Sequence, residues 1–186
     1  MAILDLLKHI NNRERVTPHP VVDKEIQIRQ SFLLGLAMQA YADGRLSDDE
    51  AHLFFDIAKA FQVAPGTATS LLEQAKSPTE EILESIRRNL LHHKYKYYFL
   101  IDLHIMARQD NHVSKVESQV IEQFAKLLDM DSEEMSFVSD LARAVISNDP
   151  KDRKMWINTF MGRQLGGQAL ETEEFEHYAP KDHAVE

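Results

Sequence analysis

The chain contains no cysteine, so disulfide scaffolds, thiol catalysis and thiolate metal sites are excluded at the outset. Basic residues are the minority: 21 Lys and Arg stand against 30 Asp and Glu, a net charge of −9. That balance argues against a nucleic acid gripped by general phosphate neutralisation. No apolar run reaches the roughly 18 residues of a membrane-spanning helix, so no span is expected. The opening MAILDLLKHI has Asp5 inside its apolar stretch and lacks a basic leader and a small-residue cleavage site. It does not read as a secretory signal, and the chain is expected to be cytoplasmic. Glycine and proline are also scarce, six of each. In the long stretches between them, apolar residues recur at spacings of three and four rather than alternating, which is the pattern of helices.

The 186 residues have the size of one compact domain. At that length folding buries roughly 70% of the surface the unfolded chain exposes, enough for a core that needs no staple. The fold class expected is all-α with about nine helices. A first amphipathic helix over 2 to 11 carries Ile3, Leu6, Leu7 and Ile10 on one stripe. Thr17-Pro18-His19-Pro20 forbids helix and is expected to be a linker. Helices are then expected at 22–42, 47–62, 66–75, 78–92, 95–109, 114–129, 132–146 and 151–165. Ser47 with Glu50, Ser77 with Glu80, Ser114 with Glu117 and Asp131 with Glu134 have the spacing of a capping box. Pro150 suits a first helical position, and Gly166-Gly167 is expected to end the last helix. Beyond it, Glu171, Glu173, Glu174, Glu176, Asp182 and Glu186 face Lys181 alone, an acidic tail.

Sliding the sequence by 67 residues aligns Phe32 through Ala64 with Phe99 through Asp131, with nine identities in 33 positions. Chance would supply about two. The identities include Phe32 with Phe99, Leu36 with Leu103, Asp43 with Asp110, Ser47 with Ser114 and Glu50 with Glu117. Unmatched pairs keep their apolar character, as in Phe54 with Ile121, Ile57 with Phe124 and Phe61 with Leu128. The pattern reads as an internal duplication of a helical hairpin whose turn follows an aspartate and restarts at a Ser-x-x-Glu cap. Gly44 and Asn111 suit that turn because both enter left-handed backbone readily.

The stretch Ala40-Tyr41-Ala42-Asp43-Gly44-Arg45-Leu46-Ser47-Asp48-Asp49-Glu50, followed by Leu53, Phe54, Ile57, Ala58 and Phe61, resembles the A-x-A-D-G-x-x-S-x-x-E signature of the TerB-like tellurite-resistance family. Ala107 through Glu117 resembles its duplicate, with Asn111 in place of glycine and Arg108-Gln109 in place of a small residue and alanine. The resemblance covers about residues 22 to 147. It implies a TerB-like helical bundle built from two duplicated hairpins with pseudo-twofold symmetry, acidic residues that bind metal, and a role in stress-response assemblies near the membrane. A related module occurs in a membrane-anchored DnaJ-type co-chaperone, which implies an interaction platform rather than a fixed chemistry. The organisation expected is an N-terminal helix and Pro-containing linker over 1–21, the duplicated domain over 22–147, and a C-terminal helix with the acidic tail over 148–186.

Asp43, Asp48, Asp49 and Glu50 crowd one turn, and Asp110 with Glu117 repeats part of the set. Clustered carboxylates suit Ca²⁺ or Mg²⁺, although the loop is far shorter than an EF-hand loop of about twelve residues. A second reading stays open beside it: Ser47 and Glu50 form a cap, Asp48 and Asp49 complement a helix N-terminus, and Asp43 accepts backbone N–H bonds across the turn. His92 and His93 are adjacent and diverge on a helix, while His104 sits in the stripe of Leu100, Leu103 and Ala107 and is expected to point inward. Lys94 through Phe99 mixes basic and aromatic residues, a pattern able to stack bases, although Phe99 falls in the core register. No nucleophile and base pair presents itself. The reading is a non-enzymatic interaction or sensor module with protein partners, membrane-associated ones or a second copy included. Docking candidates are the stripe Ile3, Leu6, Leu7 and Ile10 and the band Met155, Trp156, Ile157, Phe160 and Met161. The rival readings are a metal-dependent enzyme using the acidic hairpins and an adaptor peripheral to the inner face of the membrane.

Overall fold

The computed structural model describes residues 19–91, 94–107, 114–146, 164–165 and 168–169. Among them are seven helices: α1 (Ile26–Ala40), α2 (Asp48–Ala60), α3 (Pro65–Ala75), α4 (Glu80–Leu90), α5 (Tyr95–Met106), α6 (Lys115–Leu127) and α7 (Ser132–Ile146). The expected helices over 2–11 and most of 151–165 lie outside the described residues. Gln164–Leu165 and Gln168–Ala169, labelled β1 and β2, pair antiparallel instead of continuing a helix. A Gly-Gly dipeptide between two short stretches is a hairpin signal as much as a helix stop.

The architecture follows from two helices that are apolar on nearly every side. The helix α1 buries Phe32, Leu33, Leu34, Leu36, Ala37 and Ala40, and α5 buries Tyr97 through Ile101, Leu103, Ile105 and Met106. Such helices have no face for water and must be surrounded. The other helices supply the cover: α2, α3, α4 and α6 pack on α1, and α6 and α7 pack on α5. Phe32 and Phe99 meet edge to face at the crossing of α1 and α5, with ring centroids 5.2 Å apart. Phe124 continues the chain of rings from Phe99 at 5.0 Å, and Phe61 and His19 flank Phe32 at 5.6 and 5.3 Å. Gly35 permits the crossing, because a Cβ there would occupy the space of the Phe99 ring.

Local signals set most boundaries. Ser47 accepts the Glu50 N–H while Glu50 Oε2 accepts the Ser47 N–H at 2.8 Å, and Ser114 with Glu117 builds the same box. Asp131 and Glu134 reproduce it before α7, at 2.8 and 2.9 Å. Ser77 does not cap α4. Thr79 does so, accepting the Ile82 N–H, since the chain is still in a turn through Ser77. Pro65 opens α3 at the position where a missing N–H does no harm. The helices α2 and α6 end alike: Gln62 and Asp129 take φ of 54° and 50°, and the N–H groups of Val63 and Met130 reach back to the carbonyls of Ala58 and Ala125 at 2.9 Å. This is the Schellman termination.

The first helix starts at Ile26, not at 22, and the expected linker is anchored at its end. Val22 N–H donates to the His19 carbonyl, Val21 is fully buried, and His19 sits against the core rings of Phe32 and Phe61. His19 and Val21 thus already pack on the core, inside the segment expected to be a connector.

Candidate functional site

The Asp43 to Glu50 turn forms where α1 runs out of apolar residues. Gly44 adopts φ of 85°, a conformation that excludes most side chains, and its N–H donates to the Tyr41 carbonyl at 2.8 Å. Asp43 is exposed and its Oδ1 accepts the Arg45 N–H at 3.0 Å. Glu50 is half-buried and commits Oε2 to Ser47, from which it accepts both the backbone N–H and, at 2.7 Å, the hydroxyl. Asp48 is exposed in the first turn of α2, and Asp49 follows it in that turn. The turn thus does the backbone work foreseen for it, while Asp43 Oδ2 and Glu50 Oε1 accept no hydrogen bond from the described residues. In the second hairpin Glu117 Oε2 accepts the Ser114 N–H, and Asp110 lies outside the described residues. No group of three or more His, Asp or Glu side chains converges as a metal site among the described residues.

Two polar clusters escaped the sequence. His19 Nδ1 accepts the Val21 N–H, which places the ring proton on Nε2, and Nε2 donates to Asp102 Oδ2 at 2.9 Å. The partners are 83 positions apart, and the prolines around His19 pointed away from the core. The second cluster is built on Glu134, 5% exposed. Its Oε1 accepts the Tyr97 hydroxyl at 2.6 Å and the Lys96 ammonium at 3.2 Å, while its Oε2 carries the α7 cap. Burial first, then the hydrogen bond to Glu134, holds the Tyr97 hydroxyl protonated far above its ordinary range. Within the Lys94 to Phe99 run, Tyr97, Tyr98 and Phe99 are buried and present no face for a base to stack on, while Lys94, Tyr95 and Lys96 are half-buried. His104 is half-buried as a residue, with its Nε2 enclosed in the fold.

Among the described residues lies an apolar groove of about 380 Å³. It is lined by Met38 of α1 and Tyr41 at the α1 C-cap, by Val120, Phe124 and Leu127 of α6, and by Leu83 of α4. Lys76 stands at the rim, 5.9 Å from the Tyr41 ring centroid and bonded to Glu73 at 2.6 Å. That carboxylate keeps the ammonium charged to higher pH than usual. Sequence periodicity could not show that α1, α4 and α6 stop short of filling the space between them. Tyr41 belongs both to the groove and to the signature stretch, and its carbonyl receives Gly44. Groove and acidic turn are contiguous.

The fold and this motif define a helical module of the tellurite-resistance class. The family model described as tellurite resistance protein TerB matches residues 29–140, more than half of the chain, and the chain belongs to that family. No curated protein and no solved structure matches it. Among the described residues no helix is long and apolar enough to cross a membrane.

Proposed function

We propose that the chain is a non-enzymatic interaction and sensor module of a stress-response assembly, docking a protein partner on the groove and responding to Ca²⁺ or Mg²⁺ at the adjoining acidic turn. The observation that carries this reading is the shared residue Tyr41. Tyr41 lines an apolar groove among the described residues, and its carbonyl holds the turn in which Asp43 and Glu50 each keep one carboxylate oxygen that accepts nothing from the described residues. A cation drawn to those oxygens would act on the backbone that positions the groove wall, which is the coupling a sensor needs. Met38 and Tyr41 suit a partner surface because a flexible thioether and an amphipathic ring adapt to varied apolar side chains.

The two hairpins are, in the same proposal, duplicates related by a pseudo-twofold axis. Capping boxes, left-handed terminations and buried apolar positions that recur 67 residues apart support it. The second copy has Lys115 and Val116 where the first has Asp48 and Asp49, so the first turn is the stronger cation site.

The test is capture from a lysate of the source cells on the immobilised full-length chain, with Ca²⁺ or Mg²⁺ and with chelator. Wild type is expected to retain a partner that Val120→Glu loses, with Asp43→Asn removing the cation dependence. Retention unchanged by Val120→Glu would remove the groove from the account.

A further inference from the structure

We propose that the groove is the seat of the chain's own N-terminal segment, residues 2–11, docked in cis through Ile3, Leu6, Leu7 and Ile10. The inference rests on the reading of the groove as a docking surface and adds its resting occupant.

Reach is the first argument. The chain joins the described fold at His19, whose ring lies 5.3 Å from that of Phe32. Phe32 leads to Phe99 at 5.2 Å and Phe99 to Phe124 at 5.0 Å, and Phe124 is itself part of the groove. The His19 ring is therefore no more than about 16 Å from a groove residue, whereas residues 12–18 can span roughly 23–25 Å when extended. The connector therefore exceeds that distance by about 7–9 Å.

Pattern is the second. Ile3, Leu6, Leu7 and Ile10 fall at i, i+3, i+4 and i+7, the anchor spacing of a helix laid into an apolar groove. The α6 wall continues beyond the groove, because Val116, 42% exposed, stands one turn before Val120 on the same helix face. A ten-residue helix is about 15 Å long and needs such an extended wall.

Charge is the third. Lys8, Arg13 and Arg15 outnumber Asp5 and Glu14, so the stretch before His19 is positive while the rest of this chain carries all of its net negative charge. The α1 wall runs directly into exposed Asp43 and Asp48. Tethering supplies the remainder: a connector of this length gives an effective concentration on the order of millimolar, so weak intrinsic affinity suffices. A partner must then displace this segment, which makes the resting state self-blocked.

The absence of native cysteine allows a direct test in the full-length chain. Leu7→Cys with Val120→Cys is compared with Leu7→Cys with Phe55→Cys, Phe55 being exposed on α2 outside the groove. Under mild oxidation the groove pair is expected to close as an intramolecular disulfide at least about tenfold faster than the control pair. Equal rates, or a disulfide-linked dimer in which the segment serves a second copy, would overturn docking in cis. A hydrophobic dye separates the two ways of failing. If the segment covers the groove, dye emission rises severalfold in Leu6→Asp/Leu7→Asp and the rise is lost on adding Val120→Glu. Val120-dependent dye binding that is already full in wild type would overturn the occupant and keep the groove. Emission indifferent to Val120→Glu in every variant would overturn the groove reading itself.

Discussion

Glu134 joins α5 to α7, and its removal gives a prediction whose size can be worked from the contacts. In Glu134→Ala the Tyr97 hydroxyl loses a 2.6 Å partner in a position 1% exposed, an unpaired buried group worth about 1–3 kcal/mol. The α7 cap loses the carboxylate that accepts the Asp131 N–H, worth about 1 kcal/mol. Lys96, its side chain 14% exposed, keeps its charge but must turn toward water, which its long stem allows at a smaller cost. The total is about 2–5 kcal/mol, overlapping the range found when one member of a buried charged cluster is deleted. Against a stability of about 5–15 kcal/mol, this is a large fraction. Urea titration followed by circular dichroism is expected to show a much lower midpoint with an unchanged slope, and melting is expected to fall by about 2–4 °C per kcal/mol. Glu134→Gln, which still accepts from Tyr97, is expected to lose clearly less. A loss under about 1 kcal/mol in Glu134→Ala would refute the view that this carboxylate is integral to the core.

Three further outcomes are expected. Gly35→Ala gains about 1 kcal/mol of helix propensity but forces the Phe99 ring aside, so a net loss of about 1–3 kcal/mol is expected in urea titration, and a gain would show that α1 and α5 are not in close approach. Gln39 is 3% exposed with neither amide atom bonded among the described residues, and Met106 is the buried residue 67 positions on. Gln39→Met is therefore expected to stabilise by about 1–2 kcal/mol, and a lower melting temperature would mean the amide is paired in the working protein. Tyr97 ionises near 10.0 when unfolded and well above it when folded, so its contribution is complete below that pH and is lost as pH rises beyond it. The alkaline fall in stability is expected to be shallower in Tyr97→Phe, measured as melting temperature against pH, and identical slopes would count against the buried hydroxyl.

What could be read from the sequence was what neighbours along the chain decide. Ser47 with Glu50 and Ser114 with Glu117 act within one helical turn, and the stripe from Leu53 to Phe61 buries its own helix face, so caps and core register were recoverable. Ser77 and Thr79 compete for the same cap, and only the end of the preceding turn settles that Thr79 wins. His19 with Asp102, Tyr97 with Glu134, and the groove depend on how separate helices meet, at separations no periodicity records. The acidic turn is intermediate: its caps are local and were foreseen, whereas its contact with the groove arises because Tyr41 turns into a space that α6 leaves open.

Whether the signature turn is a cation site is decided most directly by titration calorimetry of the full-length chain with Ca²⁺, Mg²⁺ and Zn²⁺. Wild type is expected to bind Ca²⁺ or Mg²⁺ weakly, with Asp43→Asn removing more of the heat than Asp110→Asn, because the first turn holds Asp48 and Asp49 where the second holds Lys115 and Val116. No heat and no thermal shift at millimolar cation would leave the turn as a capping structure alone, and a larger loss in Asp110→Asn would contradict the ranking of the two copies.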